Sequence, residues 1–142
     1  MTAFHRYLGS VIVVLFVVLF VWGLVLRIGR RDDAPAGIWA AQHWTENLLV
    51  VQTVTGIVLL LMGRRVVAEH DPVIWLHYFY GSLFPLIAVV GGRIAGLRRE
   101  QREYLGITWG AFFALGLTLR ALQTGCVRFG EDLQALARCL SA

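Results

Sequence analysis

Leu8-Gly9-Ser10-Val11-Ile12-Val13-Val14-Leu15-Phe16-Val17-Val18-Leu19-Phe20-Val21-Trp22-Gly23-Leu24-Val25-Leu26 carries no charge from end to end. As a helix rising 1.5 Å per residue it spans about 28 Å, the depth of a bilayer's hydrocarbon core. Arg27, Arg30 and Arg31 follow it directly. The remaining sequence has the same character. Of 142 residues, 58% are hydrophobic and 15% charged, whereas a soluble domain carries about a quarter of its residues as charges. This composition excludes a disordered chain, and it excludes a water-soluble globule almost as firmly.

Three more charge-poor runs lie further along: Asn47–Gly63, Val73–Gly92 and Tyr104–Leu119. The second begins upstream of its charge-free part, near Trp39. The third is entered through Asp71-Pro72, and proline suits a first helical turn. The fourth ends at Arg120. Short connections between four spans predict an all-α membrane protein, a four-helix up-down bundle. It forms a single membrane domain over residues 1–142, with spans near 8–27, 41–63, 73–93 and 103–121. A tail, 122–142, follows them. The first run resembles a secretory signal with Ala34-Pro35-Ala36 as a cleavage site. Its length and the arginines after it favour a retained helix.

The net charge of +4 arises from thirteen arginines, no lysine and nine acids. Arg30-Arg31, Arg64-Arg65 and Arg98-Arg99-Arg102 sit just outside apolar runs, where arginines set topology and reach lipid head groups. No nucleic-acid recognition pattern accompanies them, so no nucleic-acid partner is expected. Arg27, Arg30, Arg31, Arg93, Arg98, Arg99 and Arg102 place seven arginines on one side, against six on the other. That small excess, with Cys126 and Cys139 both on the poorer side, predicts that both termini face outside the cytoplasm.

Small residues predict where helices touch. Gly106, Gly110 and Ala114 recur every fourth position, and Gly92 and Gly96 repeat the spacing in the third span. These stripes suit contact inside the bundle or with a partner's helix. Pro85 is predicted to kink the third span, since it cannot donate to the carbonyl of Gly81.

Candidate chemistry gathers in Glu69-His70-Asp71-Pro72-Val73-Ile74-Trp75-Leu76-His77-Tyr78-Phe79-Tyr80-Gly81. Trp75, Tyr78 and Tyr80 fit an interfacial aromatic belt. His77 lies near the hydrocarbon boundary, where an ionisable group turns toward protein. Its imidazole has three readings: haem iron, a quinone carbonyl, or a backbone carbonyl. His43 opens the second span on the opposite side, too far away to share an iron with His77. The same-side partners, His5 and His70, precede their spans. His77, Tyr78, Tyr80 and Arg120 are therefore the candidate haem b or quinone ligands, with no cofactor as the leading expectation. Arg120 alternatively snorkels to phosphates.

Gln52 is expected to face another helix, whereas Thr53 and Thr55 are expected to bond their own helix's carbonyls. Glu46 and His43 are one turn apart and can pair. No acid is expected inside a span to couple an ion, which argues against a transporter. No catalytic residue and no metal-ligand spacing is apparent. In the tail, Glu131–Leu140 has the pattern of a short amphipathic helix, and Cys126 and Cys139 bracket it. A structural disulfide is the favoured reading, with free thiols or a redox pair as alternatives.

Leu76-His77-Tyr78-Phe79-Tyr80-Gly81, followed by Leu119-Arg120-Ala121-Leu122-Gln123-Thr124-Gly125, resembles patterns in small multi-span accessory subunits of bacterial respiratory and photosynthetic electron-transfer complexes, of the alternative complex III type. The resemblance covers the last three spans and carries over no catalytic residue. It implies a non-catalytic, structural subunit of a quinol-oxidising complex. Its partners would be membrane lipids and larger, cofactor-bearing integral subunits. The rival expectation is a small b-type cytochrome or quinone-binding subunit that uses His77.

Overall fold

A computed structural model describes residues 2–64, 75–99 and 102–126, with side chains described between 3 and 123. The chain is all-α. Helix α1 covers Thr2–Ile28 and α2 covers Ala36–Leu61. A third rod joins α3 (Trp75–Tyr78), a π-helical turn (Phe79–Leu83) and α4 (Phe84–Leu97); α5 covers Tyr104–Cys126. These four rods are long and apolar enough to cross a membrane. The amphipathic Glu131–Leu140 segment and Cys139 lie outside the described residues, as does the side chain of Cys126.

Both early helices begin upstream of their charge-free runs. Nothing in Thr2–Tyr7 breaks a helix, so α1 starts at Thr2 instead of near residue 8. Pro35, extended at φ −59° and ψ 144°, starts α2 at Ala36 instead of near 41. Two chemical residues thereby change their setting. His5 lies within α1, although its sequence position suggested a pre-span segment. Glu46 lies within α2, about 15 Å along the helix from Ala36, so one acid does occupy a span.

The turn before Pro85 in the third rod is π-helical. Proline has no N–H, and the turn before it widens until the Phe84 N–H reaches the carbonyl of Phe79, five residues back. The rod stays continuous, and Gly81 comes to rest against Ala121 of α5.

Packing is antiparallel between neighbours. Along the α1–α2 seam the close approaches are Gly37 to Trp22, Gly9 to Gln52 and Gly56 to His5. Gly23 abuts Thr108 across the α1–α5 seam. At the α4–α5 seam, Gly92 and Gly96 meet Gly106, Gly110 and the backbone of Glu103. A Cβ at Gly92 would lie 2.6 Å from the Gly106 carbonyl oxygen and 2.7 Å from Gly110 Cα, so these backbones touch. The two connections at the arginine-rich end also dock. Arg102 N–H donates to the Asp32 carbonyl at 2.7 Å, and the Tyr104 hydroxyl donates to that of Arg31 at 2.9 Å.

Helix α5 is the central rod, with 44% of its membrane window buried against 17–28% for the others. Its inward face is built mainly from small residues, among them Gly106, Thr108, Gly110, Ala111, Ala114, Thr118 and Ala121, with Ile107 and Tyr104. Trp109, Phe112 and Phe113 point outward. Small inside and large outside is the order favoured where lipid replaces water, because burying a large apolar side chain gains little from hydrocarbon. On α1 the buried stripe is Leu8, Ile12, Phe16, Leu19 and Leu26.

The docked connections make a graded prediction. Tyr104 is fully buried, and Tyr104→Phe removes only its hydroxyl bond. It should cost about 1 kcal/mol, read as a melting point lower by roughly 4 °C. Asp32→Ala breaks an ion pair whose side chains are 40% and 60% exposed, and should change melting by less than about 2 °C.

Candidate functional site

Two polar clusters interrupt the apolar interior. The first lies at the amino-terminal end and consists of two contacts, one between α1 and α2 and one between α3 and α5. His5 reaches across to α2, where its Nε2 sits 3.3 Å from the side-chain amide nitrogen of Gln52. The residues make room for each other reciprocally. A Cβ at Gly56 would meet the His5 ring at 3.2 Å, and one at Gly9 would meet the Gln52 amide at 3.1 Å. The contact has two hydrogen-bonded forms: the amide N–H donates to Nε2, or the turned amide accepts from an Nε2–H. Either way His5 Nδ1, which is buried, has no partner, and one Gln52 amide atom has none either.

His77 belongs to the same end. Its Nδ1 lies 2.8 Å from the carbonyl oxygen of Ala121 on α5. A carbonyl can only accept, so Nδ1 carries the hydrogen and Nε2 keeps the lone pair. Of the three readings of His77, the backbone-carbonyl bond is present, and it occupies only one ring nitrogen.

The other candidates fall around this cluster. Tyr78 stacks edge-on to His77 with centroids 5.7 Å apart, and Tyr80 rests at 5.8 Å from Phe84. Trp75 meets Phe79 edge-on at 5.3 Å. Arg120, next to the Ala121 carbonyl that holds His77, donates to Gln123 Oε1 at 2.7 Å. His43 is exposed, while His70 lies outside the described residues.

The second cluster lies toward the arginine-rich end. Glu46 does not pair with His43. Instead its Oε1 accepts from the Gln42 amide at 3.1 Å and its Oε2 accepts from Arg93 at 2.8 Å. Gln42 also donates to the Val89 carbonyl at 3.3 Å, leaving its own Oε1 buried and unpartnered. Arg93 is thus an internal counter-ion on α4 rather than a loop charge, which removes it from the arginine excess that ordered the two sides. Thr53 and Thr55 bond the carbonyls of Leu49 and Val51, at 2.9 and 2.8 Å.

Sequence reading missed His5 with Gln52, and Gln42 with Glu46 and Arg93. For the first pair a signal existed. His5 and Gly9 are four apart on one helix, Gln52 and Gly56 are four apart on the next, and antiparallel pairing sets each polar residue opposite a glycine.

Outside the bundle, α5 presents an apolar groove of about 390 Å³ lined by Phe112, Phe113, Leu115, Gly116, Leu117 and Leu119. Among the described residues, no three His, Cys, Asp or Glu side chains gather closely enough to hold a metal by themselves. Compared with known proteins, the chain matches no protein-family model, no curated protein and no solved structure.

Proposed function

We propose that this chain is a non-catalytic integral membrane subunit of a quinol-oxidising electron-transport complex, packing on larger cofactor-bearing subunits and on lipid. The supporting observation is the outward face of α5. Trp109, Phe112 and Phe113 form a ridge of edge-to-face rings beside Gly116, where a Cβ would meet nothing within 4 Å. A stiff aromatic ridge next to an open notch suits a helix of another chain, because rigid rings are cheap to order and a glycine admits a close backbone. The membrane is a bacterial cytoplasmic one, and both termini face outward. With Arg93 set aside the arginines divide six and six, so the two cysteines of the terminal side carry that orientation.

Gentle solubilisation and mass spectrometry test this reading. The chain should travel with larger redox polypeptides, and Gly116→Trp should reduce that co-purification at least tenfold while leaving the isolated chain's melting point unchanged. Migration of the wild-type chain alone would refute it. A second reading, a b-type cytochrome or quinone-binding subunit using His77, draws on the unspent Nε2. A reduced Soret and α-band in the purified chain would establish the cytochrome form.

A further inference from the structure

We propose that the two arginine-rich connections at one end of the bundle bind a single phospholipid carrying two phosphates, of the diphosphatidylglycerol class. The inference requires only that the four rods lie in a membrane, and it stands apart from the accessory-subunit reading.

Three observations carry it. First, the fold joins two arginine clusters that lie far apart in sequence. Arg102 N–H donates to the Asp32 carbonyl at 2.7 Å, and its guanidinium meets the Asp32 carboxylate at 3.2 Å. The Tyr104 hydroxyl donates to the Arg31 carbonyl at 2.9 Å. Arg99 precedes Arg102 by three residues, so their Cα atoms lie within about 11 Å of each other. Arg27, Arg30, Arg31, Arg98 and Arg99 are all exposed. Among the described residues the ion pairs are Arg93–Glu46 and Arg102–Asp32, and neither uses these five. With Asp32 taken by Arg102, this end sets the five arginines against Asp33, Glu100 and Glu103. Second, Arg30 occupies a strained backbone slot. Its N–H donates to the Arg27 carbonyl at 3.2 Å and the Arg31 N–H to that of Leu26 at 3.1 Å, with Arg30 at φ 52°. The end of α2 makes the same pair of bonds, Gly63 to Leu60 and Arg64 to Leu59, with glycine in that slot at φ 74°. A left-handed residue that bears a side chain is strained, and strain of this kind concentrates at functional sites. Third, apolar side chains border the arginines on the membrane side. Val25 and Ile28 of α1 and Ile94 and Leu97 of α4 are exposed, so both rods offer cations for a head group and a wall for acyl chains.

Ligand chemistry selects the lipid. Guanidinium forks hold phosphate oxygens in pairs, and basic patches at the ends of membrane helices take anionic head groups. A lipid with one phosphate engages either connection alone. Where one glycerol links two phosphates, the second contact is intramolecular and gains from effective concentration. The Arg102–Asp32 and Tyr104–Arg31 bonds hold the two connections together before any lipid arrives.

The experiment titrates delipidated, detergent-purified chain with diphosphatidylglycerol, phosphatidylglycerol or phosphatidylcholine, and counts bound lipid by native mass spectrometry. One diphosphatidylglycerol should bind per chain, at least about tenfold tighter than phosphatidylglycerol at equal phosphate concentration. Phosphatidylcholine should not compete. Arg30→Gly should weaken diphosphatidylglycerol about fivefold, the worth of one arginine at a lipid surface. Its melting point should stay level or rise, because glycine relieves the left-handed slot. Arg98→Gln/Arg99→Gln, which strips one connection, should remove the preference between the two anionic lipids. Arg64→Gln, at the other end, should leave binding unchanged. The preference is read on wild-type protein, so it tests the site even if a variant misfolds. Equal affinity for the two anionic lipids, undiminished binding by Arg30→Gly, or displacement of the lipid by inorganic pyrophosphate would overturn the proposal.

Discussion

Gly106→Ala should strongly destabilise the folded bundle, while Gly91→Ala, one residue from the same seam, should leave it intact. A Cβ on Gly106 would press into the carbonyl of Gly92 and the backbone nitrogen of Gly96, and would lie 2.7 Å from Gly96 Cα. All three obstacles are main-chain atoms, so no rotamer change relieves them. Only separation of α4 from α5 does, and that opens the seam along Gly92, Gly96 and Gly110. Overpacking of this kind costs about 3 kcal/mol, a fall of roughly 10 °C in melting point. Gly91 and Gly116 have nothing within 4 Å of a Cβ, and alanine at either should be neutral or mildly stabilising through helix propensity. Thermal melts in one detergent compare the three variants. Equal effects at Gly91 and Gly106 would show that the backbones do not meet there.

The second large effect is at the intramembrane ion pair. Arg93→Leu leaves the Glu46 carboxylate, 11% exposed, with only the Gln42 amide beside it. Removing one member of a buried pair costs about 3 kcal/mol or more, because the surviving charge loses its compensation. Arg93 is 42% exposed in its side chain, so Glu46→Leu should cost less, since water or a head group can solvate the freed guanidinium. The double variant Glu46→Leu/Arg93→Leu removes both charges and should recover most of the loss. The coupling energy should be about 2 kcal/mol in a double-mutant cycle. Strict additivity would mean the two residues do not interact.

These two seams differ in how visible they are in the sequence. The glycine spacings of α4 and α5 are local, repeat every fourth residue, and point to a close helix contact before any helix is placed. The Glu46–Arg93 pair is separated by 47 residues. Nothing local links them, and Glu46 at the edge of a charge-free run reads as a boundary marker. His5 was set outside its span for the same reason. A charge-free run marks where hydrocarbon is tolerated, whereas a helix continues until proline, glycine or an unmet cap stops it.

The number of spans and their antiparallel order were legible from composition alone, because hydrocarbon allows only internally hydrogen-bonded segments about twenty residues long. Which face of each helix turns inward was not. Helix α1 is apolar all round, so periodicity cannot separate the buried Phe16 from the exposed Val17. Only the docking of four rods settled that rotation, and with it the meetings of His5 with Gln52, of His77 with Ala121 and of Glu46 with Arg93. In lipid, small-residue contact and buried polar bonds choose the rotation, and both depend on what the neighbouring helix presents.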